Sequence, residues 1–186
     1  MKKVLIICLA AMLIICACGK KAEETPDRVL EEMINFSFKS DFSGVRDFAP
    51  DAYWAKIEED CKQSYDEIVK LAKEKMQADS AFDRMRERFG DDYKLSYEIV
   101  SKEIPGDAEL DSINGDVRYN SDYKVKDVDA AIKYEVEITL KGSKDEGKQT
   151  NDYLFVRIDG RWYPYFDGVG FGGIVIAMAA YDFTWE

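Results

Sequence analysis

The chain has 186 residues, of which 34% are charged, 46% hydrophobic and 13% aromatic, with only 4 prolines. That is one domain's worth of packed chain, and it excludes long disorder, a collagen-like repeat and a multi-span membrane protein. There is no histidine, which excludes Ser-His-Asp and Cys-His catalysis, His-ligated zinc and a histidine pH switch within this chain, while the net charge of −11 and pI near 4.6 exclude the basic face of a nucleic-acid binder.

Lys2 and Lys3 precede twelve apolar residues at 4–15, which gives the basic and apolar regions of a secretory signal peptide. Twelve residues are too few to span a bilayer core, and Gly19, Lys20 and Lys21 close the run. The run ends Ile15-Cys16-Ala17-Cys18. This resembles the lipobox of bacterial lipoproteins: a branched apolar residue at −3, a small residue at −1 and the obligatory cysteine at +1. Cys18 is therefore the expected lipid carrier, since Cys16 would need Ile15 at a position that takes small residues. The expected organisation is a signal peptide at 1–17 and the acylated cysteine with its tether at 18–25. An α+β domain follows at 26–167, then an apolar extension at 168–186. The resemblance implies a palmitate-type anchor and a place on the extracytoplasmic face of the cell membrane.

Removing 1–17 leaves 24 basic and 37 acidic residues, a charge of −13. The tether at 19–25 reaches at most about 25 Å, so the domain stays close to the membrane. Cys61 is then the single free thiol. It lies on the stripe Trp54, Ile57, Cys61, Tyr65 and Ile68, and the spacing predicts a buried structural cysteine.

Thr25-Pro26-Asp27 opens the domain with a cap, a proline at the first helical position and an acid in the first turn. Val29, Leu30, Met33, Ile34 and Phe38 recur at helical spacing, which predicts a helix over 26–39 that is closed off by Ser43-Gly44. A second, interrupted helical region is expected over 50–89, stopped by Gly90. From Tyr93 the period changes to two, and the first strand lies there. Residues 108–119 are ambiguous, because Asn114-Gly115 reads as a turn while Leu110, Ile113 and Val117 share a helix face, and a short broken helix is expected. Alternation over 132–140 gives the clearest half-buried strand, followed by a polar loop at 142–150. Residues 153–158 and 161–166 flank Asp159-Gly160, a type I′ hairpin signal. Helices first and antiparallel strands after them predict an α+β domain with the N-terminal helices on one face of a curved antiparallel sheet.

The helix-to-strand step FGDDYKLSYEIV, the strand IKYEVEITLKG and the closing hairpin LFVRIDGRWYPYF resemble the nuclear transport factor 2-like cone fold, as carried by some bacterial lipoproteins. The resemblance implies a cone with a cavity between sheet and helices, and an aromatic after the turn, Trp162, packed into it. Relatives use such cavities for catalysis, small-ligand binding or protein contact, so the fold leaves function open.

The literal G-x-G-x-x-G at 168–173 lacks room for a βαβ unit, with thirteen residues left. Asp107, Glu109 and Asp111 have EF-hand spacing, but Ser112 and Arg118 stand where glycine and a bidentate glutamate are needed. No metal, cofactor or catalytic residue is assigned. Carboxylates such as Asp167 or Glu98 would matter only inside a dry cavity. Trp162, Tyr163, Tyr165 and Phe166 are the candidate pocket or core aromatics, and the apolar 174–178 run either covers the body or presents a docking patch. The expected function is a membrane-anchored, non-enzymatic module for binding a protein or a small apolar ligand, with oligomeric state open. The alternative is a small-ligand-handling enzyme using the cone cavity.

Overall fold

The computed structural model describes residues 25–39, 42–78, 81–120, 127–166 and 170–171. The expected signal segment at 1–17, Cys18 and all of 168–186 except Gly170 and Phe171 lie outside the described residues. Helix α1 (Pro26–Lys39) leads through a 3₁₀ turn (Val45–Phe48) to α2 (Asp51–Cys61), α3 (Tyr65–Ala78) and α4 (Ala81–Phe89). Strand β1 (Lys94–Glu103), helix α5 (Asp107–Asn120) and strands β2 (Ala130–Lys141), β3 (Glu146–Ile158) and β4 (Arg161–Tyr165) follow. The four strands form one curved antiparallel sheet in chain order, β1-β2-β3-β4.

Helix α1 buries Val29, Leu30, Met33, Ile34 and Phe38, the stripe its spacing predicts. The region after it breaks where local capping is strongest. Lys62 adopts a left-handed conformation (φ 52°) and its N–H donates back to the Glu58 and Glu59 carbonyls, which ends α2. Two residues on, the Ser64 and Glu67 side chains bond reciprocally, Ser64 N–H to Glu67 Oε2 at 2.8 Å and Glu67 N–H to Ser64 Oγ at 3.4 Å. This is a capping box, legible in the sequence as Ser-x-x-Glu. The break corrects the reading of Cys61, which is exposed. The stripe through it assumes one continuous helix, whereas Cys61 is the last residue of α2; Tyr65, beyond the turn, still meets Trp54 edge-on at 5.0 Å.

Two further expectations are corrected. Residues 107–120 form an unbroken helix, and Asn114 opens no turn. Its side-chain amide accepts from the Val128 N–H at 2.7 Å and donates to the Val128 carbonyl at 3.0 Å, clamping α5 to the approach to β2. The polar run after Gly142 is a loop only as far as Asp145. Glu146 begins β3, which pairs with β2 from Lys141↔Glu146 to Ala130↔Arg157. Polarity alone does not forbid a strand whose backbone is paired, and here Gly147 and Gln149 pair with the buried Leu140 and Ile138. The turn itself is held close to α4: a Cβ on Gly142 would lie 1.9 Å from the Phe89 carbonyl oxygen.

Partners across an antiparallel ladder share a face. Tyr134, Val136, Ile138 and Leu140 of β2 therefore lie on one face with Phe155, and Ala131 and Lys133 lie on the other with Val156, Leu154, Tyr163 and Tyr165. Helix α1 meets the first face through Asp27 and Tyr134. Helix α5 meets the second, where Glu109 pairs with Lys133 and Asp116 accepts from the Tyr165 hydroxyl at 2.7 Å. Helices thus cover both faces, which corrects the one-faced arrangement. The reason lies in β3 and β4: Val156, Tyr163 and Tyr165 make the second face apolar at this end, so it needs its own cover. Towards the other end the same face carries Glu137, Thr139, Lys148 and Thr150 and needs none.

Gly115 sits inside α5 with nothing within 4 Å of the point where a Cβ would stand, so Gly115→Ala should raise stability by about 0.5–1 kcal/mol. Gly142→Ala should lower it by about 1–3 kcal/mol, because Phe89 must move. Urea melts of the two variants should shift in opposite directions.

Candidate functional site

The hairpin at Asp159-Gly160 is a type I′ turn, with φ of 54° and 75° at its two residues. It places the four candidate aromatics in two groups. Tyr163 and Tyr165 are buried on the second face and meet Phe171 edge-on, at centroid distances of 6.0 and 5.3 Å. Tyr53 of α2 closes the same cluster, 6.0 Å from Phe171. Trp162 belongs to the opposite face, half-buried against the core, with the Arg157 guanidinium 5.5 Å from its ring centroid. The fully inward aromatics are therefore Tyr163 and Tyr165, and Trp162 packs at the margin. Phe166 is also half-buried, and its carbonyl accepts from the Gly170 N–H at 2.7 Å in a short bridge. The bridge sets Gly170 beside Phe166, and the adjoining Phe171 reaches the cluster.

A polar constellation that sequence reading missed joins α1 to the sheet. The Asp27 carboxylate accepts two hydrogen bonds from Lys102 Nζ, at 2.8 and 2.9 Å, and one from the Tyr134 hydroxyl. Lys102 Nζ also lies 5.2 Å from the Tyr134 ring centroid, a cation–π distance. The Lys102 and Tyr134 hydrogen bonds hold the Asp27 carboxyl below the ordinary carboxylate range. Burial, reinforced by the neighbouring carboxylate, pushes the Tyr134 hydroxyl well above an ordinary phenol. At neutral pH the acid is fully charged and the phenol fully protonated. Both groups titrate far from neutrality, so the arrangement suits a fixed latch and not proton transfer. Its only sequence signal is Asp27 in a first helical turn; the partners lie 75 and 107 residues away.

A shallow cleft of about 180 Å³ opens between α1 and the 3₁₀ turn, lined by Glu32, Asn35, Ser43, Gly44, Asp47 and Phe48. Its two carboxylates are engaged, Glu32 by Arg28 at 2.9 Å and Asp47 by Arg161 at 3.0 Å. Glu98 faces Glu137 across the β1–β2 ladder and is exposed, and Asp167 lies outside the described residues. Among the described residues no group of three or more Cys, Asp or Glu side chains is placed to hold a metal ion, and no helix is long and apolar enough to cross a membrane. Neither a protein-family model, nor a curated protein, nor a solved structure matches the chain.

Asp27→Ala should cost about 1–3 kcal/mol by leaving the buried Tyr134 hydroxyl without its acceptor. In a Tyr134→Phe background the same change should cost less. Because the native pKa of Asp27 is depressed, its contribution is in place above the unfolded carboxyl value of about 4 and is lost as pH falls through the native value. Thermal melts should therefore show the gap between wild type and Asp27→Ala closing below about pH 4.

Proposed function

We propose that this protein is a lipid-anchored module on the extracytoplasmic face of a membrane that acts by binding a protein or small apolar ligand, without catalysis. The observation that carries the reading is the short distance between anchor and fold. The box Ile15-Cys16-Ala17-Cys18 follows a basic and apolar leader, and α1 begins at Pro26, so the acylated Cys18 and the body are joined by seven residues. Such a tether keeps the domain within about 25 Å of the lipid.

The cone reading of the fold belongs with this proposal. Its support is the antiparallel sheet with an aromatic type I′ hairpin at one edge and helices packed over it. In a cone, the space between helices and sheet is where a ligand would enter. Here Trp54, Phe48, Phe89, Phe155 and Tyr134 occupy core positions with essentially no solvent exposure, and Tyr163 and Tyr165 pack on Phe171. These side chains are spent on packing, which favours a surface-binding module over an enzyme with a deep cavity. In the cleft at Glu32 and Asp47, both carboxylates are tied to arginines, which disfavours acid–base work there.

Expressed in a bacterium fed a labelled fatty acid, the wild type should take up label and Cys18→Ser should not; equal labelling would end the anchor reading. For the extension, Phe171→Ala should cost about 3 kcal/mol, since a buried phenylalanine is replaced by a cavity between three tyrosines. An unchanged melting temperature would show that the extension contributes nothing to the body.

A further inference from the structure

We infer that the outer edge of β1, with Val100 on it and Ile104 just past its end, is the surface by which the tethered domain rests on the lipid bilayer. The inference builds on the lipid-anchor reading and adds an orientation to it. Among the described residues, four large apolar side chains are exposed: Leu71 (50%), Tyr97 (37%), Val100 (55%) and Ile104 (80%). Three of these four lie on β1 or in the residue that follows it. Among the described residues β1 pairs with β2 on one side and with no other strand, so these side chains line a border of the described sheet.

The place of that border in the molecule names its occupant. Lys102, between Val100 and Ile104, is held to Asp27, the second residue of α1. The chain leading back to Cys18 therefore leaves the body beside this end of β1, and seven residues at 19–25 link Cys18 to the helix. An acyl group in the bilayer holds the domain by that end, and Ile104, two residues beyond Lys102, falls within the tether's reach. Lys102 brings no free positive charge, because Asp27 neutralises it, and Glu103 and Asp107 flank Ile104. The contact is accordingly one of apolar side chains with the headgroup and acyl boundary of a zwitterionic surface, and it is disfavoured on an anionic one.

An added strand fits this border less well. The β1 ladder to β2 shifts register between Ile99 and Ser101, which leaves Val100 as a bulge. A bulge on an edge strand twists the backbone donors and acceptors out of line and blunts edge-to-edge pairing. It does nothing to prevent Val100 from meeting lipid.

The test uses the full lipidated chain in phosphatidylcholine vesicles carrying bromine-labelled acyl chains. On a Cys61→Ser background, an environment-sensitive probe is placed at Ile104→Cys or, as a control of similar apolarity, at Leu71→Cys on α3. The probe at 104 should be blue-shifted and quenched several-fold more than the probe at 71, and adding Val100→Asp should remove most of that difference without shifting the melting temperature. Equal quenching at the two positions in a chain shown by mass to carry lipid on Cys18 would overturn this inference and leave the anchor reading standing; a Cys18 without lipid would overturn both. A blue shift at 104 that persists without vesicles and grows with protein concentration would also overturn it, in favour of a second copy on the same edge.

Discussion

Two tyrosine hydroxyls buried on opposite faces of one thin sheet set the condition that the helices must satisfy. Tyr134 and Tyr165 have almost no solvent exposure, and a phenolic O–H withdrawn from water without an acceptor would cost about 1–3 kcal/mol. Each finds a carboxylate on a helix: Tyr134 on Asp27 of α1, Tyr165 on Asp116 of α5. Apolar packing alone would let a helix slide along the sheet with little penalty, because dispersion and burial are non-directional. A directional bond at each face removes that freedom. The Asp27 bond pins the first turn of α1 to β2, and the 3₁₀ turn that follows α1 is tied in turn to the hairpin by Asp47 and Arg161.

The same two contacts explain which parts of the fold can be read from the sequence. Helix α1, the core of β2 and the hairpin at Asp159-Gly160 are legible because each is specified within a few residues: a cap and a 3.6 period, a two-residue alternation, and a pair of residues that accept positive φ. The break after Cys61 is equally local, in Ser64 and Glu67, but a longer apolar stripe runs across it and conceals it. Asn114 misleads for the opposite reason. Asn-Gly is a turn signal when the asparagine has no better partner, and here Val128, fourteen residues on, supplies both a donor and an acceptor. The start of β3 is hidden because side-chain polarity reports burial and not backbone pairing.

The candidate site divides along the same line. The aromatics of the closing hairpin can be named from sequence, but their division into a buried pair and a marginal Trp162 depends on which face of the sheet needs cover. The Asp27, Lys102 and Tyr134 latch cannot be named at all, since three common residue types separated by 75 and 107 positions leave no pattern. Its chemistry is that of a fixed ion pair with a bound phenol. It ties the first turn of α1 to β1 through Lys102 and to β2 through Tyr134.

The order of the elements along the chain carries a consequence for biogenesis. Strands pair in the order in which they are made; β2–β3 and β3–β4 are closed by turns of four and two residues, so that part of the sheet can form by short loop closures, while β1 joins β2 across the longer connection 104–129 that carries α5. Helix α1 is different. It is synthesised first, yet the Tyr134 that fixes it arrives 107 residues later, a wait of about 5–20 s at ordinary rates of chain elongation. During that interval Val29, Leu30, Met33 and Ile34 have no sheet to pack against. The first helix thus stays an unpartnered apolar stripe until the sheet around Tyr134 has been made.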